Sequence, residues 1–292
     1  MDTIITLQRL ASPALDRVML LVTDLCSQEA FTVLLVLAFL AVDASFGRRL
    51  GIVFLGGAYL NDVIKTLVDA PRPFQVQPEV LRPGAADTAP GSSFPSGHAQ
   101  SAVIFWTLSA LQFKRAWFWV VAGLIVGAVA LSRVYLGVHY PVDVLGGLAV
   151  GLSVVVIAQF ARRLAFAPGK AVIVALGLLV PLGVQLLFTT ETSYVFLAVA
   201  SAFIVGPEFV AHRAAGGVIT RLGMGVVGVV LVAAVLSATS ALMSEELKHA
   251  PLTGYLRYLV IGLTGTVLAP LVCRWARLSG GPVVATGSAR RA

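Results

Sequence analysis

Apolar residues run in long blocks along this chain, and the polar residues gather between them. The blocks fall at about 30–45, 50–68, 97–113, 117–135 and 142–161, then at 171–188, 194–210, 222–243 and 255–273. A helix needs about 20 mostly apolar residues to cross the hydrocarbon of a bilayer. None of the blocks alternates strictly in the manner of barrel strands. Inside lipid only helices and closed barrels satisfy their own backbone hydrogen bonds. The pattern therefore predicts an all-α, polytopic integral membrane helix bundle of about nine transmembrane spans. Ahead of the first block, Leu15, Val18, Met19, Val22 and Leu25 recur at helical spacing against Asp16, Arg17, Thr23 and Asp24. That periodicity predicts an interfacial amphipathic helix over 1–28. The expected organisation is then an N-terminal segment (1–28), a first membrane domain (29–165), a four-helix extension (166–279) and a flexible tail (280–292).

Composition sharpens this picture without changing it. Of the 292 residues 58% are hydrophobic and 12% charged, half the charged fraction of about 25% usual in soluble domains. The net charge of +7 raises the question of nucleic acid. The basic residues, however, sit in short clusters at block ends, the topogenic pattern of membrane proteins, and no nucleic-acid partner is expected. Arg48 and Arg49, Lys114 and Arg115, then Arg162, Arg163 and Lys170 follow the first, third and fifth spans. His212, Arg213 and Arg221 follow the seventh, and Arg274, Arg277, Arg290 and Arg291 the ninth. These are alternate connections, so one assignment puts them all in the cytoplasm, with 69–96, 136–141, 189–193 and 244–254 facing outward. Cys26 and Cys273 then lie on opposite sides and form no disulfide framework. The N-terminus shows no cleavable signal-peptide pattern. The segment 69–96 is long, rich in Pro, Gly, Ala and Asp, and predicted to hold no regular element; loops of that length are usually functional or disordered.

Three clusters of polar residues occur at the outward ends of spans two to five, where ionisable groups default to a functional reading. Lys65 and Arg72 stand about two helical turns apart, with Pro71 and Pro73 fixing the chain as it leaves the helix. Alone, this pair is equally well a snorkelling lysine and an interfacial arginine. Pro95-Ser96-Gly97-His98 opens the third span. Ser96 is placed as an N-cap, Gly97 permits close backbone approach, and a helix start favours an anion. Ser132-Arg133 and His139, with Asp143 four residues on, cross from span four to span five, and Pro141 suits the first turn of the next helix. Helical spacing would set the Asp143 carboxylate beside the His139 imidazole, fixing its tautomer and raising the basicity of its other nitrogen. A plain His–Asp helix cap is the alternative.

In this order the three clusters read Lys-x6-Arg-Pro, Pro-Ser-Gly-His and Ser-Arg-x5-His-x3-Asp. The chain resembles the type-2 phosphatidic acid phosphatase family, the lipid phosphate phosphatases, over roughly residues 15–165, with every signature position filled. The resemblance implies that His139 attacks phosphorus and forms a phosphohistidine, that Asp143 orients it, and that His98 protonates the leaving group. It implies that Lys65, Arg72, Ser96, Gly97 and Arg133 bind the phosphate. It implies no metal and no cofactor, and a phosphorylated membrane lipid as substrate: phosphatidic acid, phosphatidylglycerol phosphate or undecaprenyl diphosphate. The expected setting is a bacterial inner membrane with the site on the outer face. Lipid-to-lipid phosphotransfer through the same residues, and a non-enzymatic transporter or scramblase that keeps a phosphate site, remain open.

Two features depart from the family's usual plan. Members commonly carry a span before the amphipathic segment; none is expected in this chain, so its N-terminus is expected outside. About four spans follow residue 165, without a chemical motif. Within them Glu208 and His212 are expected to form an interfacial cap, with Gly206-Pro207 breaking or kinking the helix.

Overall fold

The computed structural model describes residues 1–164 and 168–278, and every regular element among them is helical. The expected flexible tail at 280–292 lies outside the described residues. The helices are α1 (Asp2–Gln8), α2 (Pro13–Asp24), α3 (Gln28–Leu37, running on as a π-helical turn Ala38–Val42) and α4 (Ala44–Val68). Then come α5 (Pro73–Val76), α6 (Gly97–Phe113), α7 (Ala116–Tyr135) and α8 (Pro141–Ala161). The remainder are α9 (Lys170–Leu187), α10 (Ser193–Phe209), α11 (Val218–Leu242), α12 (Glu245–His249) and α13 (Pro251–Leu263). A π-helical turn, Thr264–Leu268, leads from α13 into α14 (Ala269–Trp275). Each of the nine expected spans is occupied by a helix. By length and composition six are long and apolar enough to cross a membrane, and seven if the bent pair Pro13–Asp24 and Gln28–Val42 counts as one. Leu124, Val156, Leu179 and Val230 are all more than half exposed, as apolar side chains facing lipid would be.

The boundaries follow local chemistry. Asp43, expected inside the first span, instead caps α4 by accepting from the Phe46 amide at 2.6 Å. As a result Arg48 and Arg49 lie in the first two turns of α4 and not in a loop. Lys114 ends α6 in a left-handed conformation (φ +54°). The segment 69–96, expected to hold no regular element, carries α5 and two 3-10 turns, Pro78–Val80 and Ala86–Thr88. Pro73 and Pro78 start the first two of these pieces, their fixed φ suiting a first helical position.

The chain forms two compact units: residues 1–32, 52–167 and 189–196 in one, and 33–51, 168–188 and 197–292 in the other. In the first unit, α6 lies against α8 through Gly147 and Gly151, where an added Cβ would collide with the Ser96 carbonyl and Val103. Small residues four apart permit this close approach of membrane helices. A buried amide ladder ties α6 to α4: Asn61 Nδ2 donates to Gln100 Oε1 at 2.8 Å, and Gln100 Nε2 to the Gly57 carbonyl at 2.6 Å. Asp62, on the next position of α4, accepts from the Thr192 hydroxyl at 2.8 Å and from the Thr190 hydroxyl.

The N-terminal segment is two helices, α1 and α2, and it packs inward through both apolar and polar residues. Ile4, Asp16 and Thr23 are buried and Leu15 and Met19 pack on the core, while Val18, Leu21 and Leu25, the last just past α2, are at least half exposed. Asp16 accepts from Arg82 Nε at 2.9 Å, Arg82 Nη2 at 2.7 Å and the Tyr135 hydroxyl at 2.7 Å. Gln8 Nε2 bridges the Val80 and Tyr135 carbonyls, 2.7 Å from each.

In the second unit Glu208 pairs with Arg48 at 2.8 Å. His212 shares a hydrogen bond with the Leu40 carbonyl at 2.9 Å and stacks on Phe39. This corrects the expected Glu208–His212 cap. Pro207 sits two residues from the end of α10, so the helix stops there and does not kink midway. Ser201 and Tyr255 hydrogen-bond at 2.7 Å, joining α10 to α13.

Replacing Asp16 with Ala removes the acceptor for three buried or half-buried donors. The expected cost is about 1–3 kcal/mol, seen as an earlier thermal transition of the detergent-purified protein than for Arg17→Ala on the neighbouring position.

Candidate active site

All three signature clusters belong to the first unit, and its topology brings them to one end of α4, α6, α7 and α8. Lys65 lies in the last turn of α4, His98 in the first turn of α6, Arg133 in the last turn of α7 and Asp143 in the first turn of α8.

Between α7 and α8 the chain turns tightly through Gly137 (φ +75°), where a side chain would strike the Val80 carbonyl. The turn folds the Val138 and His139 amides back onto the Arg133 carbonyl, each at 3.3 Å, which keeps Arg133 and His139 together. Pro141 then starts α8, and Asp143 reaches back to cap it, Oδ2 accepting from the Tyr140 amide at 2.8 Å. The same Oδ2 lies 3.5 Å from His139 Nδ1. His139 precedes the helix, so the carboxylate reaches it through cap geometry and not through i, i+4 spacing within a helix.

His139 Nε2 lies 3.1 Å from Arg72 Nη1. A guanidinium can only donate, so Nε2 accepts, carries a lone pair and leaves the ring proton on Nδ1. His139 sits in the connection between spans, 1% exposed. Burial first, then Arg72, Arg133 and Lys65, holds its imidazole well below the usual histidine range and therefore neutral.

Each of the three cations donates to at least one backbone carbonyl of the loop stretch 88–92. Arg72 Nε donates to the Gly91 carbonyl at 2.8 Å, Nη2 to Pro90 at 2.7 Å and Nη1 to Val138 at 2.9 Å. Arg133 Nη2 donates to the Thr88 carbonyl at 2.9 Å, and its Nη1 to the hydroxyls of Thr23 at 2.6 Å and Thr88 at 3.0 Å. Lys65 Nζ donates to the Ser92 carbonyl. Arg72 and Arg133 are 2% and 0% exposed, yet neither has a carboxylate partner. Of the N–H groups these side chains possess, one on Arg72, two on Arg133 and two on Lys65 remain for another acceptor. Arg133 Nε is fully buried and unpartnered among the described residues.

Ser96 is buried and caps α6, its hydroxyl accepting from the Ala99 amide at 3.5 Å, while its own amide donates to the Asp143 carbonyl at 2.9 Å. The Gly97 and His98 amides head the helix, where no preceding turn supplies carbonyls. His98 is half-buried, within electrostatic reach of Arg133, His139, Arg72 and Lys65. All eight residues singled out in the sequence thus share one neighbourhood. Thr23, Thr88 and Ser93 also belong to it and carry no sequence signal, being single small hydroxyl residues outside the three clusters. Among the described residues no group of three or more His, Cys, Asp or Glu side chains is placed to hold a metal ion.

The profile of the PAP2 superfamily matches residues 46–165, and that of the PAP2 superfamily phosphatase transmembrane extension matches residues 194–281. Undecaprenyl-diphosphatase BcrC of Bacillus subtilis is 31% identical over 145 residues, covering 48% of this chain and 71% of that protein. Lipid phosphate phosphatase delta of Arabidopsis thaliana is 29% identical over 165 residues, 52% of this chain. The match spans only 39% of the plant protein's own length. Among solved structures, the transmembrane PAP2-type phosphatidylglycerolphosphate phosphatase of Bacillus subtilis is similar with a TM-score of 0.45 and 27% identity. That similarity covers 56% of this chain and 85% of the other.

The His139 environment has a direct test in nitrogen NMR of the histidine-labelled empty protein. The signals assigned to His139 by comparison with His139→Asn are expected at pH 6.5 to be those of a neutral ring protonated at Nδ1; imidazolium signals from that residue would contradict it. The sign for stability follows. The unfolded chain takes a proton near pH 6.5 that the folded site refuses, so His139 makes the fold less stable as pH falls below that value.

Proposed function

Because the chain belongs to the PAP2 superfamily of membrane lipid phosphatases, we propose that it hydrolyses a lipid phosphomonoester or diphosphate through a phosphohistidine on His139. The observation that carries this reading is the Arg72 Nη1 to His139 Nε2 contact at 3.1 Å. It puts an unprotonated ring nitrogen beside a guanidinium that has a further N–H to spare, as in-line attack on a bound phosphoryl group requires.

In the proposed cycle the phosphate oxygens take the spare N–H groups of Arg72, Arg133 and Lys65 and the amides of Gly97 and His98, with Ser96 fixing the start of that helix. Arg72 exchanges Nε2 for a phosphate oxygen, freeing the lone pair. Nε2 attacks phosphorus, the P–O bond to the lipid breaks, and His98 gives its proton to the departing oxygen. Asp143 supports the positive charge that develops on the ring. Water then gives a proton to His98 and attacks phosphorus; the P–N bond breaks and phosphate leaves. The cationic rim stabilises the equatorial oxygens throughout, and no step calls on a metal.

The relatives' names point to undecaprenyl diphosphate and phosphatidylglycerol phosphate as the first lipids to try. The Lys/Arg asymmetry of the connections supports a site at the outer, periplasmic face of a bacterial inner membrane.

The test is phosphate release by detergent-purified protein in EDTA against phosphatidic acid, phosphatidylglycerol phosphate and undecaprenyl diphosphate. Release should survive chelation and fall on the order of 10³-fold or more in His139→Ala. An intact wild-type protein that releases no phosphate from any of them, or that transfers it only to an added lipid acceptor, would overturn hydrolysis as the function.

A further inference from the structure

Ser93 lies outside the three signature clusters and is fully buried at the centre of the site. Its hydroxyl donates to Asp143 Oδ2 at 2.6 Å. The same oxygen lies 3.5 Å from His139 Nδ1, which also stands 3.5 Å from Asp143 Oδ2. The hydroxyl thus sits between carboxylate and imidazole. Its proton is committed to the carboxylate, and its lone pairs are open to the Nδ1 proton. The backbone fixes this position: the Ser93 amide donates to the Ala70 carbonyl at 2.8 Å, and the adjoining Ser92 hydroxyl donates to Asp69 at 2.8 Å. Ser92 also gives its carbonyl to Lys65. One dipeptide therefore secures a phosphate-side cation through one residue and the carboxylate behind the nucleophile through the next.

We infer that Ser93 is a positioning residue for His139, holding Asp143 by a short hydrogen bond and sharing the Nδ1 proton with it. The inference rests on the proposed phosphohistidine reading and adds to it the group that sets the carboxylate's orientation. When Nε2 leaves Arg72 for phosphorus the ring becomes positive, and its Nδ1–H then closes on a pair of oxygens already aligned. Ser93 meets no phosphate oxygen in this scheme, so its loss acts on turnover and not on substrate affinity. Charged groups face the pair from every side: Lys65 from α4, Arg72 from the start of α5, His98 from α6 and Arg133 from α7.

The experiment compares wild type, Ser93→Ala, Ser93→Thr and Ser93→Cys as intact purified proteins, with kcat and KM measured across pH. Ser93→Ala should lose roughly ten- to hundredfold in kcat and keep KM within about twofold. Ser93→Thr, which keeps the hydroxyl, should recover most of the loss. If Ser93→Ala does not fold, Ser93→Cys carries the comparison, having similar volume and a much weaker donor. Wild-type kcat in Ser93→Ala would overturn the inference, as would a loss that Ser93→Thr does not repair or one carried by KM. If wild type itself releases no phosphate, the functional reading fails instead. The His139 Nδ1 proton resonance then decides: a shift between wild type and Ser93→Ala supports the contact, and an unchanged resonance refutes it.

Discussion

Two guanidinium groups and an ammonium set side by side in a buried site repel one another and lose their hydration, a cost that must be met locally. Here it is met by backbone carbonyls. Thr88, Pro90, Gly91 and Ser92 turn successive carbonyls onto Arg133, Arg72 and Lys65. Carbonyls orient the cations without neutralising them, so the positive field remains for an anion. Carboxylates in the same places would cancel it. The one carboxylate bonded within the cluster, Asp143, serves the histidine, and it is bound by Ser93 and the Tyr140 amide and not by an arginine.

The N-terminal helices brace the start of the same loop and one of its cations. Asp16 and Gln8 hold Arg82, the Val80 carbonyl and Tyr135, and Thr23 takes an N–H of Arg133 directly. The N-terminal helices thus turn Gln8, Asp16 and Thr23 toward the loop alongside Ile4, Leu15 and Met19, and the polar groups find their partners within the protein where hydrocarbon offers none.

The helices were legible in the sequence because twenty-residue apolar runs leave the backbone almost no alternative in lipid. The eight candidate site residues were legible because seven carry chemistry in their side chains, Gly97 stands at a helix start, and all fall into one of three spaced clusters. What remained hidden was whatever acts through the main chain. Any residue supplies a carbonyl, so nothing in Thr88-Ala89-Pro90-Gly91-Ser92 announces a cation rack. Ser93 is one hydroxyl among many, and its contact with Asp143 depends on a turn pinned to the end of α4. The partners of α2 were hidden for a different reason: its apolar periodicity shows a stripe, of which Leu15 and Met19 pack on the core and Val18 and Leu25 stay exposed, but not the pairing of Asp16 with Arg82 and Tyr135. Pairing partners decided the remaining differences, as with Glu208, which lies nearer to Arg48 in space than its sequence neighbour His212 would suggest.

The central claim is that His139 Nε2 and the carbonyl-held cations form one phosphoryl-binding site. The most direct measurement is a structure of the protein with vanadate, a mimic of phosphoryl transfer. The account predicts vanadium bonded to His139 Nε2, with its equatorial oxygens on Arg72, Arg133, Lys65 and the amides opening α6. Vanadate bound elsewhere, or held near the cations with Nε2 still on Arg72, would contradict it.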